Sequence, residues 1–306
     1  MDFSNYIFRS HMVGNIISAG KPLTEKQCSV LFDYAARDLG NGKPLTENQK
    51  KELTSLQHKF NESKSAKLTE GAKGLLSNIV FYEKFGRKKL LENEYLEKGI
   101  IAEKQSRDLL SSVLGVFLTE DNERRSNNWV TGKRDIKSDS VIPDIKTKYD
   151  FESFAKCLVD STSEIYLRQL DCYMDLWNIP DSVLCHVLVD TPFNLIEMAL
   201  RKEGYKKDIF NYDGDLKEGS IPDAKALICN HIYTREGLEK FCEQSSCIYI
   251  EWFDDFVEIP AKDRIHMIPH SYQKERIEQR NESILLGREF MNTVRPINNI
   301  IELNEN

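Results

Sequence analysis

The chain has 306 residues, of which 40% are hydrophobic and 30% charged, the balance of a globular protein and not of a disordered one. No apolar run of about 18 residues occurs, which excludes a membrane-spanning helix. The formal net charge of −7 argues against a protein that coats nucleic acid, although residues 1–100 carry 16 Lys+Arg against 12 Asp+Glu, so the acidity sits in the remainder.

The first twenty residues lack a basic stretch followed by an apolar one, so no secretory signal is read there. The 7 cysteines show no CxxC spacing and fit reduced thiols in a cytoplasm. GKPLTEKQ at 20–27 recurs as GKPLTENQ at 42–49. In each copy Thr starts a helix with Gln three positions later, a capping-box pattern at Thr24/Gln27 and Thr46/Gln49. Thr69 starts a third helix with Leu75, Ile79, Tyr82 and Phe85 as its apolar stripe. These elements predict an N-terminal helical arm, with a division at 1–94 and 95–306.

From 95 to 114 the pattern is one amphipathic helix. Val116–Leu118, Trp129–Ile136 and Val141–Lys148 read as short strands. Helices follow at 151–159 and 163–178, the second ended by Pro180, and Val183–Val189 reads as a buried strand. Helix, strands, helix, strand is a mixed α/β core. Beyond 200 the pattern weakens. Cys247–Phe253 reads as an edge strand and 271–294 as a charged, exposed closing helix burying Ile277, Ile284, Leu285 and Phe290.

The segment WVTGKRDIKSDSVIPDIKTKYDF carries the chemistry. Asp144 and Lys146 stand at i and i+2 of a strand, so a carboxylate and an ammonium share one face. Asp135 ends the preceding strand, and antiparallel pairing across the turn at 138–140 would bring it to Asp144. Two convergent carboxylates make an oxygen site suited to Mg²⁺ or Mn²⁺. A neighbouring lysine can orient a water or neutralise a phosphate. Charged residues inside the apolar strand Val141, Ile142, Ile145 need partners or a job. Upstream, Gly99 would permit close packing and Glu103 could add a carboxylate. Downstream, Gln169 and Tyr173 share a helix face at i, i+4. A G-x-S-x-G elbow and a Walker loop are both absent. Cys229, His231, Cys242 and Cys247 lack the paired spacing of a zinc site, and no cysteine set suits an iron–sulfur cluster.

The order G-x-x-x-E, G-x-x-D, D-x-K, Q-x-x-x-Y and then an apolar strand resembles the PD-(D/E)XK nuclease superfamily, and within it the lambda-exonuclease (YqaJ-like) family of phage exonucleases. YLEKGIIAEKQSRDLL resembles the family's first helix, GKRDI and VIPDIKT its metal strands, and YLRQLDCYMDLWNIPDSVLCHVLVDTP its QxxxY helix and following strand. FRSHMVGNIIS and the segment from KDRIHMIPHSYQ to REFM resemble its two ends more loosely, while the repeat at 20–67 has no counterpart. The resemblance implies an α/β, restriction-endonuclease-like mixed central sheet flanked by helices. It implies that Asp135, Asp144 and the Ile145 carbonyl hold Mg²⁺ or Mn²⁺, with Glu103 completing the set and Lys146 positioning the attacking hydroxide. Gln169 and Tyr173 would support the site. Arg9 and Ser10 are candidates for gripping the terminal phosphate of a DNA end, and Arg134, a departure from the family, could contact phosphate. The implied reaction is 5′-to-3′ hydrolysis of one strand from double-stranded DNA ends, as a trimeric ring, upstream of a single-strand annealing protein in the host cytoplasm. Rival readings are an endonuclease or RecB-like single-strand nuclease on the same core, or a catalytically silent DNA-binding module. Two departures stand out: Asp144 where relatives often carry Glu, and Arg134 where many carry Pro.

Overall fold

The computed structural model describes residues 1–17, 23–64, 66–87, 93–159, 162–207, 209–211 and 216–295. In chain order these form β1 (Phe8–Arg9), α1 (Ser10–Val13), α2 (Glu25–Asp38), α3 (Glu47–Lys64), α4 (Glu70–Phe85), α5 (Glu94–Ile101), α6 (Glu103–Leu114), β2 (Arg124–Ser126), β3 (Val130–Lys133), β4 (Ile142–Thr147), α7 (Phe151–Val159), α8 (Glu164–Trp177), β5 (Asp181–Val187), α9 (Phe193–Lys207), α10 (Ile221–Cys229), α11 (Arg235–Gln244), β6 (Ile265–Ser271) and α12 (Lys274–Thr293). Among the described residues no helix is long and apolar enough to cross a membrane. Two compact units emerge: residues 1–88 with 125–132 and 273–306, and residues 89–124 with 133–272.

In the first unit the repeated threonines do what their spacing predicts. Thr24 Oγ1 accepts the Gln27 amide while Gln27 Oε1 accepts the Thr24 amide, at 3.3 and 3.0 Å, and Thr46 and Gln49 repeat the exchange at the same distances. Each box satisfies two amides that would otherwise be orphaned at a helix start. Leu31 packs with Leu53 and Leu56, so α2 and α3 form a helical hairpin. Helix α12 packs on α4, where Gly287 lets Leu76 and Ile16 come close. Its buried edge differs from the expected one: Ile277 and Ile284 are buried, but Leu285 is 47% exposed and Arg280, Ser283 and Arg288 are buried instead. Arg288 donates to the carbonyls of Tyr6 and Asn128 and lies 5.2 Å from the Trp129 ring, so a cation closes backbone acceptors that an apolar stripe could not.

The second unit holds a mixed sheet in the order β4-β5-β6. Strands β4 and β5 are parallel, with Asp144 opposite Leu184 and Lys146 opposite His186, while β6 runs antiparallel to β5. Helix α8 covers one face through Leu170, Tyr173, Met174 and Trp177 against Ile142 and Leu184. Ala102 and Leu110, at the start and on the body of α6, pack on the other face with Ile145, Cys185 and Val187. Burial on both sides explains the continuous apolar run of β5.

Four expectations about elements change. Residues 95–114 break into α5 and α6 at Ala102, whose ψ is 6°. No strand forms at Val116–Leu118, because Gly115 (φ 66°) ends α6 in a left-handed turn and leaves Phe117 91% exposed. Cys247–Phe253 is not a strand; a 3₁₀ turn at Ile250–Phe253 buries Phe253. Strand β6 was not anticipated because Pro269 interrupts it, yet β6 is an edge with β5 as its neighbour, where a missing amide is tolerated.

A buried lysine lies within this core. Lys98 is 0% exposed, donates to the Tyr149 carbonyl at 2.8 Å and stands 5.6 Å from the Tyr233 ring. Burial pulls its ammonium down to about 7, against the opposing pull of Asp190 and Asp150. The unfolded chain, titrating near 10.5, binds this proton more tightly, so the group destabilises the fold fully below about pH 7 and progressively less above it. Lys98→Met is expected to stabilise the protein at low pH by roughly 1–3 kcal/mol, with the advantage fading towards pH 10. The Tyr149 carbonyl keeps the Thr191 hydroxyl at 3.2 Å, so no acceptor is orphaned. Urea melts of both proteins across this range check it, and an advantage that grows with pH would contradict it.

Candidate active site

Two short-range features and one long-range contact build the site in the second unit. Strand β4 presents Asp144 and Lys146 on one face, as the i, i+2 geometry requires. Asp144 is 1% exposed and meets Lys146 Nζ at 2.7 Å; its two oxygens otherwise accept no hydrogen bond. Helix α8 lies across this face and aims Gln169 and Tyr173 together, Gln169 Nε2 donating to Tyr173 Oη at 2.7 Å. Burial first, then the charge of Asp144, pushes the Tyr173 phenol up, so it stays protonated.

Asp135 arrives by a different route from the one the sequence suggested. Among the described residues β3 does not pair with β4; residues around Asp135 instead pair with 119–121, through Asp121 N to Asp135 O and the Glu120–Ile136 bridge. The Asp135 carboxylate reaches β4 directly, accepting the Ile145 amide. Burial, then the Asp144 charge, pushes Asp135 up to about 7, with Glu103 adding to the rise and Lys146 opposing it. On Lys146 burial acts downward, but Asp144 and Asp135 together outweigh it and hold the ammonium above its ordinary range. Two adjacent buried carboxylates, the charge of one pushing the other up, are a site short of positive charge.

That shortage is the test of fit for a divalent cation. Apart from the Lys146 ammonium at 2.7 Å the buried Asp144 oxygens have no hydrogen-bond donor, and their charge helps to push the Asp135 carboxyl up. Hard oxygen donors of this kind suit Mg²⁺ or Mn²⁺. Glu103, at the first position of α6, is exposed and acts on Asp135 through its charge. Among the described residues no three His, Cys, Asp or Glu side chains gather as an ion-holding group. Asp135 and Asp144 thus stand together, with Glu103 near enough to act on Asp135 through its charge.

The chain superposes on the crystal structure of a phage-related exonuclease from Haemophilus somnus 129PT with a TM-score of 0.54 and 19% identity, over 94% of each chain. The fold is that of a phage-related exonuclease. An alkaline exonuclease from Laribacter hongkongensis aligns over 73% of this chain and 81% of its own, with a TM-score of 0.45 and 8% identity. No family model and no curated protein matches the sequence. A shared fold positions a site without assigning its chemistry, which rests on the side chains above.

The remaining predicted residues fare unevenly. Arg134 is 3% exposed, pairs with Asp121, donates to the Ser138 carbonyl and lies 5.1 Å from the Trp177 ring. It is a buried brace behind Asp135 and not the phosphate contact expected. Ser10 is buried and donates to the Thr131 carbonyl at 3.0 Å, which commits its hydroxyl; Arg9 is exposed. Both lie in the first unit. A Cβ on Gly99 would meet nothing within 4 Å, so close packing is not its role. Two neighbours escaped the sequence reading. Asp121 holds Arg134, and no local pattern signals that pairing. The Tyr166 ring lies 5.3 Å from Lys146 Nζ. Its position one turn before Gln169 and Leu170 was legible, but its contact with β4 was not.

Proposed function

We propose that the protein is a divalent-metal-dependent deoxyribonuclease, an exonuclease that hydrolyses phosphodiester bonds of double-stranded DNA from an end, 5′ to 3′, in phage-type recombination. The observation that carries this reading is the buried Asp144 carboxylate, short of donors, beside Asp135 and in contact with Lys146. Asp135, Asp144 and the Ile145 carbonyl would hold the cation, which would polarise the phosphate and lower the pKa of a bound water. Lys146 orients the attacking oxygen or offsets charge developing on the phosphate. The Gln169–Tyr173 pair keeps a protonated phenol beside the carboxylates, a donor for a phosphate oxygen. Arg134 and Asp121 support the backbone from which Asp135 projects.

The experiment compares linear duplex, covalently closed circular duplex and single strands, with Mg²⁺ or with chelator, and labels at the 5′ or 3′ end. Release of 5′-labelled mononucleotide from linear duplex, with circles left intact, is the expected result. Cleavage of circles would replace the exonuclease with an endonuclease, and early release of 3′ label would reverse the direction. Binding of DNA without any metal-dependent cleavage would favour a silent binding module.

A further inference from the structure

Away from the carboxylate pair, among the described residues of the second unit, the guanidinium of Arg264 enters no ion pair. Arg264 closes the 3₁₀ turn Ala261–Arg264 ahead of β6. It is 8% exposed, and its buried Nε donates to nothing. Among the described residues its side chain enters no ion pair or hydrogen bond. Arginine cannot shed its proton to relieve this, so the charge persists in a site with little water around it. Burying a cation alone costs several kcal/mol, which a bound anion would offset.

Arg264 lines a cavity of about 430 Å³ at the carboxyl end of β5, together with Gln105, Lys240 and Gln244. Three carboxylates also line it, and each already has a partner of its own. Asp108 pairs with Lys104 at 2.6 Å and Glu236 with Lys240 at 2.5 Å. Asp190 accepts the amides of Tyr233 and Thr234 and the hydroxyl of Thr234, at the start of α11. It sits so close under Gly237 that a Cβ there would collide with it, 2.3 Å from Oδ2. Asp190 therefore serves the first turn of α11, and the guanidinium is left facing the cavity. Crevices at the carboxyl ends of strands are where ligands of α/β proteins commonly sit.

We propose that this cavity is an anion site in which Arg264 takes the oxygens of a phosphate group, with the two glutamines as outer donors. The planar fork of arginine matches two oxygens of a phosphate at once. Free phosphate, a mononucleotide and the backbone of a DNA strand share this chemistry. The site is separate from the carboxylate pair and does not depend on the nuclease reading.

The test uses the full chain in phosphate-free buffer with chelator, so that no hydrolysis occurs. Thermal midpoints and calorimetry are recorded with inorganic phosphate, with a 5′-deoxynucleoside monophosphate and with a short duplex. The expected result with phosphate or the monophosphate is a rise of several degrees for the parent and none for Arg264→Met, since a ligand that binds the folded state alone raises its midpoint; duplex, which on the nuclease reading also binds at the carboxylate pair, gives Arg264→Met a smaller rise than the parent. Arg264→Lys retains a smaller rise. Asp135→Asn keeps the parent's rise with phosphate, measured from its own midpoint. Without anion, Arg264→Met melts no lower than the parent, because it removes an unpaired buried charge. A response to phosphate or mononucleotide identifies a free ligand, and a response to duplex alone identifies a DNA backbone. The proposal is overturned if no anion moves the parent, if Arg264→Met responds equally, or if that variant melts lower without anion, which would reveal an internal partner. Should Arg264→Met not fold, Arg264→Lys decides: an unchanged response overturns the site and a weakened one supports it.

Discussion

Asp135→Asn is expected to lower metal-dependent release of nucleotides from linear duplex by at least ~10³-fold, the loss of about 4 kcal/mol of charge stabilisation, while leaving the metal-free protein as stable as the parent or more so. The reason is the pair itself. Asp135 titrates near 7 in the fold against 3.8 for a free aspartate, driven by burial and then by Asp144. The folded chain thus holds this proton more tightly than the unfolded chain does. The stability linked to it is fully present below about pH 4 and is lost as pH rises through about 7. Asparagine stays neutral throughout, removes the repulsion on Asp144 and can still accept the Ile145 amide. Urea midpoints in chelator should fall with pH between these limits for the parent and remain flatter for the variant. Added Mg²⁺ should raise the parent's midpoint at pH 8 and leave the variant's unchanged, and below about pH 7 its binding to the parent should release protons. A variant that keeps its activity, or that is less stable than the parent at pH 8, would remove Asp135 from the cation site.

Lys146→Met separates a chemical role from a metal-binding one. Its ammonium touches Asp144 at 2.7 Å, and the two carboxylates outweigh the burial that acts to lower its affinity for a proton. The variant should lose at least ~10²-fold in kcat, in the range of a positioned proton-transfer group. It should bind Mg²⁺ as tightly as the parent or more tightly, because a competing cation has left the carboxylates. Without metal it should be destabilised by roughly 3 kcal/mol, since Asp144 is then buried with no partner. Mg²⁺ should restore most of that loss. Calorimetry of metal binding beside steady-state rates distinguishes this pattern from the one expected of Asp135→Asn. Unchanged kcat, or a loss of metal binding equal to the loss of rate, would assign Lys146 a structural part only.

Much of this protein was legible in local spacing. The capping boxes at Thr24/Gln27 and Thr46/Gln49, the shared face of Asp144 and Lys146, and the Gln169–Tyr173 hydrogen bond all follow from helix and strand geometry acting over four residues or fewer. The buried strand β5 was readable because a sheet covered on both faces needs an unbroken apolar run. Tertiary structure decided everything that depends on partners far along the chain. Asp135 meets Asp144 by accepting the Ile145 amide and not through a ladder. Arg134 turns inward because Asp121 and Trp177 wait for it. Helix α12 joins the N-terminal unit, and β6 forms around a proline because it lies at an edge. Periodicity reports which face of an element is apolar, whereas the fate of a charge depends on what the rest of the chain brings within a few ångströms of it, and no local pattern carries that information.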